Sequence, residues 1–287
     1  MKLVMTLLCR DEVDIIDHTL QFHLSRGVDL IIATDNGSTD GSSERLAHWQ
    51  ALCPSRVQLL HEPEHCHDQA RWVSRMATIA YQEHQADWII HSDADEFWWH
   101  SSPDLHDAFA NVAADVQALH VTRSNFLPPP HDTNEAEPFY RRQTLRERQS
   151  TNSLAQALPP KVCHRGCSDA WVEDGNHAVR IGGQPATTAA VQHLEILHFP
   201  VRSYHQYERK IRQGAEALQR NSRISSAIGS TWREVYNQHL QRGRLAEHYA
   251  ELVRSSSNRK RCLAAGELLV DERLRNFFEQ QSHGPIR

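Results

Sequence analysis

Residues 87–99 read Asp-Trp-Ile-Ile-His-Ser-Asp-Ala-Asp-Glu-Phe-Trp-Trp, an apolar run that leads into three carboxylates and then into a second apolar run. The first run is short and shows no helical spacing, which is typical of a buried strand over 87–91. The carboxylates of Asp93, Asp95 and Glu96 then lie at the carboxyl end of that strand. Because apolar residues stand on both sides, the sequence fixes this acidic turn between two buried segments.

Three more segments upstream have the same character and alternate with helical patterns. Short apolar runs at 3–8, 30–34 and 57–60 predict strands, and apolar spacing of three and four residues predicts helices over 12–26, from Ser42 or Ser43 to about 52, and over 69–84. This alternation predicts an α/β fold, a mostly parallel sheet flanked by helices. Further along we expect a helix from Ser102 to about 112, a strand at 118–122, a long excursion over 128–160, strands at Val162 and 194–198, a helix over 203–220, and two helices between 232 and 280 that break near 255–258.

The composition of the chain limits its expected binding partners and its expected cellular compartment. The 287 residues carry a formal charge of −5, so nucleic acid is not an expected partner. No apolar stretch is long enough to span a bilayer and the first ten residues do not form a signal peptide, so we expect a cytoplasmic protein with its six cysteines reduced. The count of 20 histidines weakens any argument from a single histidine.

The acidic turn has the chemistry of a divalent metal site. Three neighbouring carboxylates repel one another unless a cation offsets their charge, and oxygen ligands favour Mg²⁺ or Mn²⁺. A metal held by one or two carboxylates keeps positions open for diphosphate oxygens. The alternative is that these acids are simply solvated at the end of a strand.

A second polar loop follows the second predicted strand and reads Asp35-Asn36-Gly37-Ser38-Thr39-Asp40-Gly41. Parallel strands bring their carboxyl ends to one edge, so both loops are expected to line one cleft. Asp35 and Asp40 can accept hydrogen bonds from ribose hydroxyls or a base N–H, Gly37 permits close backbone approach, and Ser38 adds a donor. A plain turn is the alternative interpretation.

These motifs, in this order, resemble those of family 2 type glycosyltransferases with the GT-A fold. The likeness covers about the first 100 residues and includes Arg10-Asp11-Glu12, residues 22–29, the loop at 35–41 and Asp87-Trp88 with Asp93-Ala94-Asp95. It implies that Asp35 and its neighbours, Asn36 among them, contact the nucleoside. It also implies that Glu12 or Thr6 borders the base pocket, and that Asp93 and Asp95, with Ala94 between them, form the Asp-x-Asp site for metal and diphosphate.

The resemblance further implies an inverting transfer, in which a carboxylate deprotonates the acceptor hydroxyl. We expect that base in residues 171–177 and favour Asp174 over Glu173 or over Asp169 just before the segment, a polar turn being the alternative. His198, at the end of a predicted strand, matches the further metal ligand that GT-A enzymes often use, although a lone histidine is more often structural. Arg71 lies on a helix expected under the cleft, and the sequence leaves open whether it is a donor contact or a solvated side chain.

The predicted domains are a catalytic domain over 1–205, divided into a nucleotide-sugar half (1–125) and an acceptor half (126–205), and a helical extension over 206–287. The predicted function is metal-dependent transfer from a nucleotide-sugar, a UDP-sugar being favoured, to a glycan or lipid-linked acceptor in surface-polysaccharide synthesis. Alternatives are a nucleotidyltransferase, disfavoured because residues 7–12 contain no glycine, and a non-catalytic nucleotide-sugar-binding protein.

Arginines of the C-terminal helices could rest on the inner face of a membrane, although a solvated helical face is favoured. Zinc at His65-Cys66-His67-Asp68 or at Cys163 and Cys167 is disfavoured because neither spacing is that of a four-ligand module. Donor, acceptor and oligomeric state cannot be read from the sequence.

Overall fold

The computed structural model describes residues 1–63, 68–130, 136–152, 156–220 and 228–281, and of Gln192 only the backbone. The strands are Leu3–Cys9 (β1), Leu30–Asp35 (β2), Val57–His61 (β3), Trp88–Asp93 (β4), Glu96–His100 (β5), Ala118–Asn125 (β6), Leu145–Glu147 (β7), Lys161–Arg165 (β8), Ala170–Val172 (β9), Val179–Ile181 (β10), Gln184–Pro185 (β11), Thr188–His198 (β12) and Leu268–Val270 (β13). The helices are Ile16–Ser25 (α1), Ser42–Leu52 (α2), Gln69–Gln82 (α3), Phe139–Arg142 (α4), Tyr204–Arg220 (α5), Ser230–Val235 (α6), Leu245–Val253 (α7), Ser256–Ala264 (α8) and Arg273–Gln281 (α9).

Eight strands form the main sheet in the order β3-β2-β1-β4-β8-β6-β12-β5. The first four are parallel, and β8 runs antiparallel to both β4 and β6. The predicted α/β architecture, a mostly parallel sheet flanked by helices and followed by a helical C-terminal region, is confirmed. Strands β1 to β4 are nearly continuous apolar runs because helices cover such a sheet on its faces.

The chain divides into two compact units. The first comprises Met1–Arg123, Pro159–Leu197 and Arg220–Ser222. Part of its core lies between the sheet and α3, where Val4, Ile32 and Ile89 pack with Val73 and Met76. A small antiparallel sheet, in the order β11-β10-β9, also belongs to this unit, and the inward side chains of β9 and β10 join the same core.

The second unit comprises Ser124–Leu158, His198–Gln219 and Arg223–Arg287. In its core, Tyr207 and Ile211 of α5 pack against Leu245 and Tyr249 of α7. Val201, which precedes α5, belongs to the same core. A two-stranded antiparallel pair, β7 with β13, completes it. The predicted domain bounds at 125 and 205 concern functional halves and stay a prediction.

Two helical predictions were wrong in extent. The helix expected from Ser102 to 112 is only a 3₁₀ turn, Leu105–Ala108, because the side chain of Asp104 accepts from the His106 backbone N–H and also bonds its ring, which favours a local turn. The two helices expected between 232 and 280 are four α-helices, a π-helical turn at Tyr236–Leu240 and strand β13. Gly243 and Gly266 take positive φ there, and Ser255 caps α8 inside the predicted break.

Candidate functional site

The two predicted loops lie at the same edge of the sheet. In the β1–β2 ladder Cys9 pairs with Asp35, and in the β1–β4 ladder Leu8 pairs with Asp93. Asp35 and Asp93 therefore stand on the two strands that flank β1, about 10 Å apart at two strand spacings. This edge is where open parallel sheets bind ligands.

Asp93 is the accessible carboxylate of the acidic turn. Its side chain is 34% exposed, whereas Asp95 is buried at 2% and Glu96 at 0%. One oxygen of Asp93 lies 2.7 Å from Lys161 Nζ, and the other accepts from Gln69 Nε2 at 3.2 Å. Burial alone would raise the pKa of Asp93, but the charge of Lys161 outweighs it, so the pKa is lowered below its usual value.

Lys161 is the cation of this turn. It is 1% exposed on β8, and its Nζ is also 3.1 Å from Oε1 of Glu96, which lies 3.5 Å from Arg123. Glu96 in turn accepts from the backbone N–H of Asp93 at 3.2 Å, so it braces the turn from inside. The sequence contains Lys161 at the start of a short apolar run, but alternation does not predict that such a lysine is buried.

Gln69 connects Asp93 to the segment that contains the predicted base. The side-chain oxygen of Gln69 accepts from Gly175 N–H at 3.0 Å, while its nitrogen donates to Asp93. Asp174 accepts from Ala70 N–H at 3.3 Å, at the first turn of α3. The structure therefore brings Asp174 and Asp93 to the two ends of one short hydrogen-bonded chain.

Glu173 has a different environment from Asp174. It is half-exposed and accepts from Arg180 Nε at 2.9 Å, on the small sheet. His177, two residues beyond Gly175, donates from Nδ1 to Pro160 O at 2.9 Å, and burial, with the nearby Lys161 charge, lowers its pKa to about 4.

The loop after β2 is tied to the loop after β1 by many hydrogen bonds. The Asp11 carboxylate accepts from Thr39 N–H at 2.6 Å, and Ser38 Oγ accepts from Asp11 N–H at 2.9 Å. Asp40 accepts from Ser42 N–H and its hydroxyl and from Val13 N–H, so its carboxylate shapes the loop. Asp11 takes a positive φ of 52°, an uncommon conformation for a residue other than glycine, in the turn where these hydrogen bonds meet.

Within this loop the predicted nucleoside contacts are mostly buried. Asp35 is 3% and Asn36 6% exposed, and Asn36 donates to Glu62 O at 3.1 Å. Gly37 has φ 63°, and a Cβ there would lie 3.1 Å from the carbonyl oxygen of Pro63, so the loop packs closely at this point.

The remaining predicted site residues have different surroundings. Thr6 is buried inside β1 and bonds His91 at 2.8 Å, Glu12 is 9% exposed, and Arg71 is an exposed partner of Asp68. Ala94 is buried, and its carbonyl accepts from Thr19 at 2.6 Å. His198 belongs to the second unit, where its ring bonds Asn125 at 2.7 Å, so its part in a metal site stays a prediction.

Among the described residues no three His, Cys, Asp or Glu side chains come together as a metal cluster. His65, Cys66 and His67 lie outside the described residues, and Cys163 is buried against Leu119 O. No described helix is long and apolar enough to cross a bilayer. Of the C-terminal arginines, Arg254 pairs with Glu147 and Arg259 donates to Pro128 O, both within the second unit, so membrane contact stays a prediction.

The fold and this edge define an α/β domain with an acidic, cation-balanced site at the ends of parallel strands. Structures similar to the chain include Staphylococcus aureus TarS 1–349 in complex with UDP, at 11% identity and a TM-score of 0.42 over 83% of this chain and 72% of that one. The longer S. aureus TarS matches at 11% and 0.42 over 85% and 45% of the two chains. The mannosyltransferase PcManGT from Pyrobaculum calidifontis, in complex with GDP-Man and Mn²⁺, matches at 16% and 0.40 over 92% and 79%.

At these TM-scores the likeness carries no argument about function. The chain spans less than half of the longer TarS. No family model and no curated protein sequence matches the chain.

Proposed function

We propose that the chain is an inverting glycosyltransferase of family 2 type with the GT-A fold. It transfers a sugar from a nucleotide-sugar, a UDP-sugar being favoured, to a glycan or lipid-linked acceptor in surface-polysaccharide synthesis. One observation carries the proposal: Asp35 and Asp93 flank β1 at the carboxyl edge of the sheet, and Gln69 links Asp93 to the turn that contains Asp174.

The donor half of the site comprises the two loops. Asp35, Asn36 and Ser38 provide donors and acceptors for the nucleoside, and Gly37, which has no side chain, lets the backbone come close to it. The diphosphate then lies toward Asp93, two strand spacings away. Hydrogen bonds of Asp11 and Asp40 hold the loop after β2 against the loop after β1 before a ligand binds.

The residues of the acidic turn fit a divalent metal. Asp93 and Asp95 offer only oxygen donors, which suit Mn²⁺ or Mg²⁺, and two carboxylates leave open coordination positions. Asp93 has a partly exposed side chain, and Lys161 with Gln69 fixes both of its oxygens. When bound, the metal offsets negative charge on the departing nucleoside diphosphate.

Asp174 is the proposed base. Its carboxylate takes the proton of the acceptor hydroxyl as that oxygen bonds to the anomeric carbon, while the bond from that carbon to the diphosphate oxygen breaks. The displacement inverts the anomeric configuration and releases a nucleoside diphosphate. Glu173 is less suited to this role because Arg180 already holds it.

A nucleotide-binding experiment tests the donor half. We expect nucleoside diphosphates to raise the melting temperature of the wild type in the presence of Mn²⁺, since a ligand stabilises the state that binds it. Asp95→Ala should lose the shift, and Asp115→Asn, at an exposed position outside the site, should keep it. A shift that needs neither Mn²⁺ nor Asp95 would remove the proposed metal site.

Turnover separates a transferase from a non-catalytic binding protein. Asp174→Asn should keep the nucleotide-dependent shift and lose release of nucleoside diphosphate from the nucleotide-sugar. If the wild type binds a nucleotide-sugar but releases no nucleoside diphosphate when acceptor glycans are supplied, the chain is better described as a non-catalytic binding protein.

A further inference from the structure

An exposed tryptophan lies on the small sheet beside the candidate base. Trp171 is 47% exposed, while Ala170 and Val172 on either side are buried at 8% and 0%. Strand alternation therefore aims Trp171 outward from β9 and its neighbours inward. The ring therefore offers an apolar face to a ligand, and its surroundings decide which ligand suits it.

Charged groups surround the ring on the same face. Trp171 pairs across the ladder with Arg180, and Arg180 pairs with Pro185 on the next strand. Directly opposite side chains in such ladders have Cβ atoms about 5 Å apart. Arg180 also holds Glu173, with side chains 48% and 42% exposed, so donors and acceptors with no net charge lie beside the ring.

The strand that carries this face leads directly to the candidate base. Strand β9 ends at Val172, and Asp174 follows two residues later, with its carboxylate accepting from Ala70 N–H at the first turn of α3. Three residues of extended chain span at most about 10 Å, so Trp171 lies within that distance of Asp174 along the backbone. An acceptor that lies on the ring and also reaches Asp174 therefore has to cover roughly that distance.

We infer that Trp171, with Arg180 and Glu173, forms a subsite for an uncharged sugar ring of the acceptor. A pyranose has a face of C–H groups that suits the negative face of an indole, and hydroxyls at its edge that suit a donor and an acceptor together. An ion pair without net charge favours a neutral sugar over a phosphate group. This inference rests on the proposed function, because it assigns the acceptor side of the same site.

Saturation-transfer NMR on the full chain tests this subsite directly. The probes are the methyl glycosides of glucose, galactose, mannose and N-acetylglucosamine. We expect at least one to receive saturation from the wild type and from Trp171→Phe, and its affinity to fall roughly tenfold or more in Trp171→Ala. Tyr81→Ala, another exposed aromatic of the first unit, is the matched control and should bind as the wild type does.

Three results would overturn the inference. These are no signal from any glycoside with the wild type, equal binding by Trp171→Ala, or a change in self-association of Trp171→Ala without sugar binding, which would make the ring a protein contact. Nucleotide-dependent thermal shifts on the same variants separate this failure from that of the proposed function. If Trp171→Ala keeps the nucleotide shift and loses the glycoside, only the acceptor side has changed.

Discussion

Lys161 is the residue on which the acidic turn depends most. A fully buried ammonium between two carboxylates stabilises the turn only while all partners are present, because each isolated charge is costly away from water. If Lys161 were lost, Glu96 would keep the Asp93 backbone N–H and, as a charged partner, Arg123 at 3.5 Å. The stability of the acidic turn therefore depends on the Lys161 side chain.

We predict that Lys161→Met lowers the free energy of unfolding by about 3–5 kcal/mol, the usual cost of breaking a buried ion pair from one side. Urea unfolding followed by circular dichroism measures it. The double variant Lys161→Met, Glu96→Gln should recover part of the loss, because it removes the uncompensated charge. Arg45→Met, which breaks an exposed pair with Asp17, should cost less than about 1 kcal/mol. Equal losses for Lys161→Met and Arg45→Met would contradict this account.

At the level of elements, the first turn of α3 links strand β4 to the turn after β9. Gln69 has both polar atoms engaged, one with Asp93 and one with Gly175, and it is 7% exposed. A side chain that bonds a metal ligand from behind fixes the orientation of that ligand. The helix thus aligns two segments that are about 80 residues apart in the sequence.

We expect Gln69→Ala to weaken Mn²⁺ binding in the presence of nucleoside diphosphate by about 10–100-fold, the usual effect of losing such a partner. Electron paramagnetic resonance of free Mn²⁺ gives the affinity without any assay of turnover. Gln82→Ala, at the exposed far end of the same helix, is the control and should bind Mn²⁺ unchanged. Undiminished affinity in Gln69→Ala would mean that Asp93 needs no support from α3.

The sequence predicted the elements better than it predicted their neighbours. Strands β1 to β4 were placed within about two residues because each is an apolar run that ends at polar or charged residues. Strand β8 was also recognised, but nothing in Lys161-Val162-Cys163 tells that it lies between β4 and β6, out of chain order. The buried roles of Lys161 and Gln69 follow from that long-range pairing, so local patterns could not predict them.

At the scale of the whole molecule, buried histidines make stability depend on pH. Burial lowers the pKa of His23 and His164, and also that of His177, to about 4. The Nε2 atom of His23 accepts from Trp98 N–H at 3.1 Å and therefore cannot carry a proton in the native fold. Each of these side chains is neutral in the folded chain at pH values where the unfolded chain is protonated.

We predict that the free energy of unfolding includes the full contribution of these neutral histidines above pH about 6.5, and that it falls as the pH is lowered toward about 4. In this window the unfolded state binds more protons than the folded state, so the slope of stability against pH is positive. Urea unfolding at a series of pH values measures the slope. His23→Gln should reduce it, and His205→Gln, at an exposed position, should leave it unchanged. A slope that His23→Gln leaves as steep as in the wild type would exclude His23 as a source.

The position of β8 also bears on the order in which the chain folds. In the sheet, β8 lies between β4 and β6, although it follows both of them in the sequence. When the first 125 residues have been synthesised, the carboxylates of the acidic turn are therefore present, but Lys161 on β8 is not. Contacts between segments far apart in sequence form slowly, and charged groups without partners resist burial. We therefore expect the edge that contains the acidic turn to be among the last parts of the first unit to fold, and a fragment ending near residue 125 to leave it unformed.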